Sequence, residues 1–272
     1  MLEEVRKEVE PREFLRSKKD QIGELMGEQI GDKRIDKLWI WQRIPFYDLY
    51  HYLKSKAVQF KDLTVTGRAI GSNIIYVATH RAIRAKIEKY KLYELEMDSE
   101  PVRKQIEKMI MLVRNATVHE FIHLVYKTRY EQEEKRLQRK FLESGVAREI
   151  LSGKISDAAW ARSYDGVAML PRQEMVTLCT TSLILNEPVL EGWSGNDLSE
   201  YQQVKERLQR LRGRDLRDLE VFEAVHDFFT EDAQLVAISF LAEVMPRLGQ
   251  QVMERILNDP PSFKAMMSPE TY

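Results

Sequence analysis

The sequence predicts a predominantly helical α+β protein, and three observations support this fold class. Glycine (12) and proline (9) are scarce among the 272 residues, so few positions interrupt a helix. Several long segments repeat apolar residues every three or four positions, which is the spacing of a helix with one buried face. A single stretch, DLTVTGRAIGSNIIYVAT, is instead rich in β-branched residues broken by glycines, and it predicts a small β-hairpin.

Composition and charge exclude several classes of protein. Hydrophobic residues make up 43% of the chain and charged residues 31%, which is enough apolar material for a packed core. Lys and Arg number 42 against 43 Asp and Glu, so the chain lacks the overall basic excess that is the simplest argument for nucleic-acid binding. The one cysteine, Cys179, excludes a disulfide framework and zinc sites built from several cysteines. We find no secretory leader and no apolar run of membrane-spanning length, and therefore expect a cytoplasmic protein.

We expect four regions along the chain. Residues 1–55 form a helical N-terminal extension, which ends in an aromatic patch, LWIWQRIPFYDLYHYL, that packs against the rest of the chain. Residues 56–190 form the core and residues 191–258 a helical C-terminal region. Residues 259–272 form a loose tail.

The core is predicted to begin with the hairpin, whose strands cover Leu63–Ile70 and Ile74–Val77. A helix follows at 80–95. A long helix then starts after Ser99, an N-cap residue, with Pro101 in its first turn. Its buried face consists of apolar residues at helical spacing, namely Val102, Ile106, Met109, Val113 and Ala116.

The later elements follow from the same signals. The charged stretch 127–141 continues the long helix with its side chains exposed, and 144–169 is rich in loops. Further helices are predicted at 172–185, 197–212 and 215–248. The last of these is one helix, or two helices separated by a cap at 230–232.

One motif carries chemistry: residues 119–123 are His-Glu-Phe-Ile-His. Residues four apart share a helix face, so His119 and His123 can bind one metal ion. Glu120 lies beside them and can take a proton from a metal-bound water. The motif continues the buried face of its helix, where such polar groups need partners or a metal. The alternative is a pair of core histidines that hydrogen-bond to neighbouring helices.

The segment NATVHEFIHLVYK resembles the active-site helix of the zincin metallopeptidases, with uncharged residues between and after the two histidines. The preceding hairpin resembles the small sheet of minimal zincins, which packs on the motif helix, so the resemblance covers about residues 60–190. It implies a zincin-like core, a Zn2+ cofactor, hydrolysis of peptide bonds and a protein or peptide substrate. It also implies His119 and His123 as zinc ligands and Glu120 as the catalytic base.

A catalytic zinc site has a third protein ligand, and the sequence offers Glu174 in the otherwise apolar segment PRQEMVTLCTTSLIL. This segment is similar to the third-ligand helix of the gluzincin-type ImmA/IrrE-like and ArdC-like zincins. That family usually has alanines and a phenylalanine at positions that are here Thr177, Cys179 and Thr180. Two alternatives stay open. In the first, Glu174 is not a ligand but a first-turn carboxylate favoured by the helix dipole. In the second, the third ligand is Glu231, an acid that would otherwise be explained by a capping turn.

Three further residues are candidates for other roles. His226 and Tyr164 could stabilise an oxyanion, although His226 lies on the apolar side of its helix and equally suits a core histidine. Glu223 and His226 also form a second Glu-x-x-His pair. Together with Glu120 and His123, this pair permits a ferritin-like di-iron carboxylate oxidoreductase. A third hypothesis is a catalytically inactive zincin fold that binds protein partners through its helical flanks.

Overall fold

The structure, a computed structural model, is predominantly helical, as the sequence predicts. It describes residues 10–41, 67–70, 74–77, 100–143, 157–188, 202–203, 206–211, 214–215, 217–249 and 251–272. Its contacts divide the chain into two units, Met1–Lys127 and Thr128–Tyr272. The longest helix runs through this boundary and contributes residues to both units.

Two helices open the first unit, α1 (Pro11–Met26) and α2 (Asp32–Asp36). Helix α1 begins with a proline, whose fixed φ and missing N–H suit the first helical position. Two surface ion pairs join α1 to α2, Arg16 with Asp36 (2.6 Å) and Lys19 with Asp32 (2.7 Å). The helical prediction for the N-terminal region is confirmed over these two segments.

The predicted hairpin is confirmed where the structure describes it. Strands β2 (Gly67–Ile70) and β3 (Ile74–Val77) pair antiparallel, with Gly67 opposite Val77 and Ile70 opposite Ile74. Ile75 and Val77 are buried, so one face of this short sheet carries apolar side chains into the core of its unit. The predicted start of the first strand at Leu63 and the predicted helix at 80–95 lie outside the described residues.

A third strand, β1 (Trp39–Trp41), was not predicted. It pairs parallel to β3, with Trp39 opposite Ile74, and the strand order is β1-β3-β2. The stretch 39–41 is therefore not helical, because its aromatic and β-branched residues complete the sheet through a partner strand distant in sequence. Trp39 is 62% exposed, so the expected packing of the aromatic patch is wrong for this residue. The patch from 42 to 53 lies outside the described residues.

Helix α3 (Glu100–Glu143) carries the His-Glu-x-x-His motif and has 44 residues, or about 66 Å. It begins one residue after the predicted cap Ser99, which lies outside the described residues. The predicted buried face is confirmed at Val102, Val113 and Ala116. The helix continues beyond residue 127 as predicted, while the exposure of that continuation stays a prediction.

The second unit is built from helices around α5, which packs against α7 and α8. Its elements are α4 (Asp157–Val167), α5 (Met169–Leu185), α6 (Leu219–Glu231), α7 (Ala233–Leu248), α8 (Gln251–Asn258), α9 (Phe263–Met267) and a 3-10 turn at Pro269–Thr271. Within the described ranges, no helix is long and apolar enough to cross a membrane.

Several boundaries in this unit match local sequence signals. Helix α5 ends at Asn186, which adopts the left-handed conformation (φ 54°) that terminates helices. Asp232 separates α6 from α7, so the predicted 215–248 segment is two helices. The predicted helix 197–212 is described at 202–203 and 206–211, and those residues are helical.

Helix α4 corrects the prediction that 144–169 is rich in loops. Its residues Trp160 and Tyr164 lie one turn apart and join an aromatic cluster with Phe222 of α6 and Phe263 of α9. The packing of these rings stabilises a helix that local periodicity did not reveal.

The prediction of a loose tail at 259–272 is also wrong. Phe263, Met266 and Met267 are buried, and Ser262 caps α9 by accepting a hydrogen bond from the Ala265 amide (3.2 Å). The tail is held because its apolar side chains fill the core of the second unit.

Candidate metal centre

The motif lies in a largely buried stretch of α3, in which His119 is buried and His123 is partly exposed. All residues from Ala116 to Ile122 are buried, and His119 and Glu120 are only 9% and 8% exposed. One buried hydroxyl on this stretch, Oγ1 of Thr117, is satisfied by donating to the Val113 carbonyl (2.7 Å). Polar groups enclosed in this way need partners, because their desolvation is otherwise uncompensated.

His119 and His123 face each other on adjacent turns. Their Nε2 atoms are 3.0 Å apart, and their rings meet edge-on with an interplanar angle of 77°. Two imidazole nitrogens bound at about 2.0 Å to one tetrahedral zinc ion lie about 3.3 Å apart, so the pair suits a single ion with little adjustment. The same distance suits an N–H···N hydrogen bond between the rings, so the core-histidine alternative stays open.

Glu174, the predicted third ligand, belongs to the same group of side chains. One ligand atom from each of His119, His123 and Glu174 lies within 4.8 Å of the other two. In the part of the chain that the structure describes, it is the only group of three His, Cys, Asp or Glu residues with this spacing. The Oε2 atom of Glu174 has less than 1 Å² of accessible area, so this oxygen is shielded from bulk water.

The start of α5 bears on the rival interpretation of Glu174. The helix begins at Met169, three residues before the predicted start, so Glu174 lies in its second turn. The dipole of a helix favours carboxylates mainly within the first turn. The dipole is therefore a weaker reason for an acid at this position than the sequence indicated.

The other candidates in α6 lie outside this group. Glu231, the alternative ligand, is the last residue of α6 and is exposed. Glu223 is exposed as well. His226 is 52% exposed with its Nδ1 3.3 Å from Oδ1 of Asp227, so it is not a core histidine. The buried stripe of α6 follows Val221, Val225 and Phe228, and His226 falls about 100° from Val225.

Tyr164 occupies the aromatic cluster of the second unit. Its ring centroid is 4.5 Å from that of Phe263 and 5.2 Å from that of Phe222, and the side chain is 3% exposed. Burial, with a smaller effect of Asp215 and Asp218, raises the pKa of Tyr164 to about 12. These contacts account for Tyr164 as a packing residue, and it is not part of the ligand group.

One contact on the motif helix had no signal in the sequence. Nη2 of Arg34, in α2, donates to the carbonyl oxygen of Leu124 (3.3 Å), the residue after His123. Arg34 also pairs with Glu28. The bond spans 90 positions, so neither periodicity nor a motif could have revealed it.

Comparison of this chain with known protein families, curated proteins and solved structures finds no match. The resemblance to zincins therefore rests on the residues themselves and stays a prediction.

Proposed function

We propose that this protein is a zinc-dependent peptidase in which His119, His123 and Glu174 hold Zn2+ and Glu120 is the catalytic base. The observation that supports the proposal most directly is the grouping of the two histidines and the carboxylate within 4.8 Å. Two imidazoles and one carboxylate are the protein ligands of one class of catalytic zinc site, which leaves a fourth position open. The free, buried Cys179 suits the reducing cytoplasm, where we place the protein.

Each ligand has a defined electronic role. When bound, the ion supplies Lewis acidity, which polarises the scissile carbonyl and acidifies water. His119 and His123 act as neutral rings, because a ring nitrogen that carries a proton has no lone pair to donate. Glu174 supplies one negative charge, which partly offsets the charge of the cation, and one of its oxygens is shielded from water.

Glu120 moves the proton. It directly follows His119 in the chain and is buried with it, so it accompanies the ligand pair. In the proposed reaction its carboxylate accepts a proton from the attacking water and then donates that proton to the leaving amine. The carboxylate is thereby regenerated at the end of each cycle, and the substrate is a protein or peptide.

Two other metal chemistries fit less well. Two histidines and one carboxylate also bind ferrous iron in oxygenases. A second carboxylate beside the histidines, here Glu120, favours the hydrolytic reaction, because it can transfer protons to and from water. The di-iron alternative needs Glu223 and His226 to project into a bundle core, whereas both side chains are exposed.

The test is the metal content of the purified protein and of three variants. We expect one zinc per chain in the wild type, loss of zinc in His119→Ala and His123→Ala, and full zinc in the matched control His226→Ala. Iron in place of zinc would support an oxidoreductase, and the absence of any metal would contradict the proposal. Zinc without hydrolysis of a mixed peptide library would support the inactive, partner-binding zincin fold.

A further inference from the structure

Arg172 connects the first turn of α5 to two other segments of its unit. Its Nε donates to the carbonyl oxygen of Pro261 (2.7 Å), and its Nη2 to Oδ1 of Asp165 in α4 (3.0 Å). The Arg172 side chain is mostly buried, whereas the Asp165 side chain is half exposed. The bond to Pro261 is therefore the better shielded of the two, since solvent screens the exposed pair with Asp165 more strongly.

The segment that accepts this bond is itself well anchored. Arg247 of α7 donates to two carbonyl oxygens of the C-terminal segment (259–272), those of Pro269 (2.5 Å) and Glu270 (3.4 Å). At its end, the Tyr272 hydroxyl donates to the carbonyl oxygen of Asp259 (2.8 Å), and the Tyr272 ring packs on Phe240. The Pro261 carbonyl therefore belongs to a well-anchored segment, and the Arg172 side chain links the start of α5 to that segment.

The start of α5 directly follows α4. Ala168, between the two helices, is buried; its amide donates to the Tyr164 carbonyl (2.9 Å) and its carbonyl accepts from the Arg172 amide (3.1 Å). Ala168 supplies no side-chain cap and Leu170 is exposed, so the two side-chain bonds of Arg172 add to a helix start that is otherwise held by backbone bonds and burial. Glu174 lies in the next turn, so movement of this end would displace its carboxylate.

We propose that Arg172 is a positioning residue for Glu174, and that through it the C-terminal segment helps to set the affinity of the metal centre. This inference rests on the proposed function. Metal binding tolerates displacements of only a few tenths of an ångström in its ligands, so a small shift of the start of α5 weakens binding even when the ligand itself is present. Arg172 acts through the backbone of α5 and needs no contact with the metal or the substrate.

The test is zinc affinity, measured by competition with a chelator in the full chain, for the wild type, Arg172→Gln and Arg172→Lys. We expect Arg172→Gln to weaken zinc binding about tenfold, the lower end of what supporting residues of metal sites contribute. Arg172→Lys keeps one charged donor, so its zinc affinity should lie between those of the wild type and Arg172→Gln. The absorption spectrum of the Co2+-loaded protein should change in Arg172→Gln, because it reports ligand geometry and not stability.

Arg207→Gln is the matched control, since Arg207 is likewise an arginine of the second unit, and it pairs with Asp232 (3.5 Å) and lies over the Phe228 ring, both outside the C-terminal segment. It should lower thermal stability while leaving zinc affinity and the cobalt spectrum unchanged. Wild-type affinity in Arg172→Gln, or an equal loss in Arg207→Gln, would overturn the inference. If Arg172→Gln does not fold, wild-type affinity and an unaltered cobalt spectrum in Arg172→Lys would overturn it instead. If the wild type binds no zinc, the proposed function itself fails. That result differs from the outcomes above, in which the wild type binds zinc and only the variants are compared.

Discussion

The Nε2 atoms of His119 and His123 lie 3.0 Å apart, one turn from each other on a helix whose residues 116–122 are all buried. Two ring nitrogens that face each other need either a hydrogen or a cation between them, because their lone pairs repel. A cation uses both lone pairs and leaves the other ring nitrogens free to donate hydrogen bonds. Ligand binding to the folded state alone also stabilises it, so the metal hypothesis has consequences for stability as well as for activity.

The first prediction concerns the third ligand. Glu174→Ala should weaken zinc binding by more than about 100-fold, since residues that merely support zinc ligands already contribute 10–100-fold. The melting temperature in zinc should fall with it, and the difference from the wild type should shrink when a chelator removes the metal. The measurements are zinc titration and thermal unfolding, each with and without chelator.

The control for that variant is Glu231→Ala, because Glu231 is exposed and lies outside the ligand group. It should change neither zinc affinity nor the melting temperature appreciably. The opposite behaviour of the two variants would make Glu231 the ligand. If both variants behave like the wild type, the zincin interpretation is wrong.

The second prediction concerns the catalytic base. Glu120→Gln keeps the shape of the side chain but cannot accept a proton, so kcat should fall about 1,000-fold while zinc content stays at the wild-type value. The exposed Glu223 stands in the other Glu-x-x-His pair, and Glu223→Gln is the matched control with unchanged kcat. Unchanged turnover in Glu120→Gln would rule out this mechanism.

Elements with local signals could be predicted from the sequence. The antiparallel strand pair at 67–70 and 74–77 follows from β-branched residues broken by glycines, and the break at Asp232 from a capping sequence. The face of α3 that carries the motif follows from helical spacing. Glu174 was chosen because a zinc site requires a third ligand and the segment around it is otherwise apolar; the structure places it near the two histidines, and its role as a ligand stays a prediction.

Features that depend on distant partners could not be predicted. Strand β1 forms only by pairing with β3, and α4 and the tail are held by rings that meet from three helices. Arg172 finds its acceptor 89 positions away. The prediction that His226 lies on the apolar side of its helix was wrong for a different reason. Successive residues of a helix point about 100° apart, so apolar neighbours in the sequence do not show which way the His226 side chain points.

The third prediction compares two buried threonines. Oγ1 of Thr177 in α5 is buried and makes no hydrogen bond within the described part of the chain. Thr177→Val removes this unsatisfied group, so it should stabilise the protein by about 1 kcal/mol in urea unfolding. Thr117→Val instead removes the hydroxyl that donates to Val113, and it should destabilise by about 1 kcal/mol. Destabilisation by both substitutions would mean that the Thr177 hydroxyl has a favourable partner.

The fourth prediction tests whether the C-terminal segment belongs to the core. The Phe263 ring is nearly fully buried, with its centroid 4.5 Å from that of Tyr164 and 5.3 Å from that of Phe229. Phe263→Ala leaves a cavity between helices and should reduce the free energy of unfolding by about 3–5 kcal/mol. Its neighbour Lys264 is exposed, so Lys264→Ala should have almost no effect. Urea unfolding of the two variants measures the difference. Equal stability of Phe263→Ala and Lys264→Ala would mean that the tail is loose after all, and the anchor proposed for Arg172 would then be lost with it.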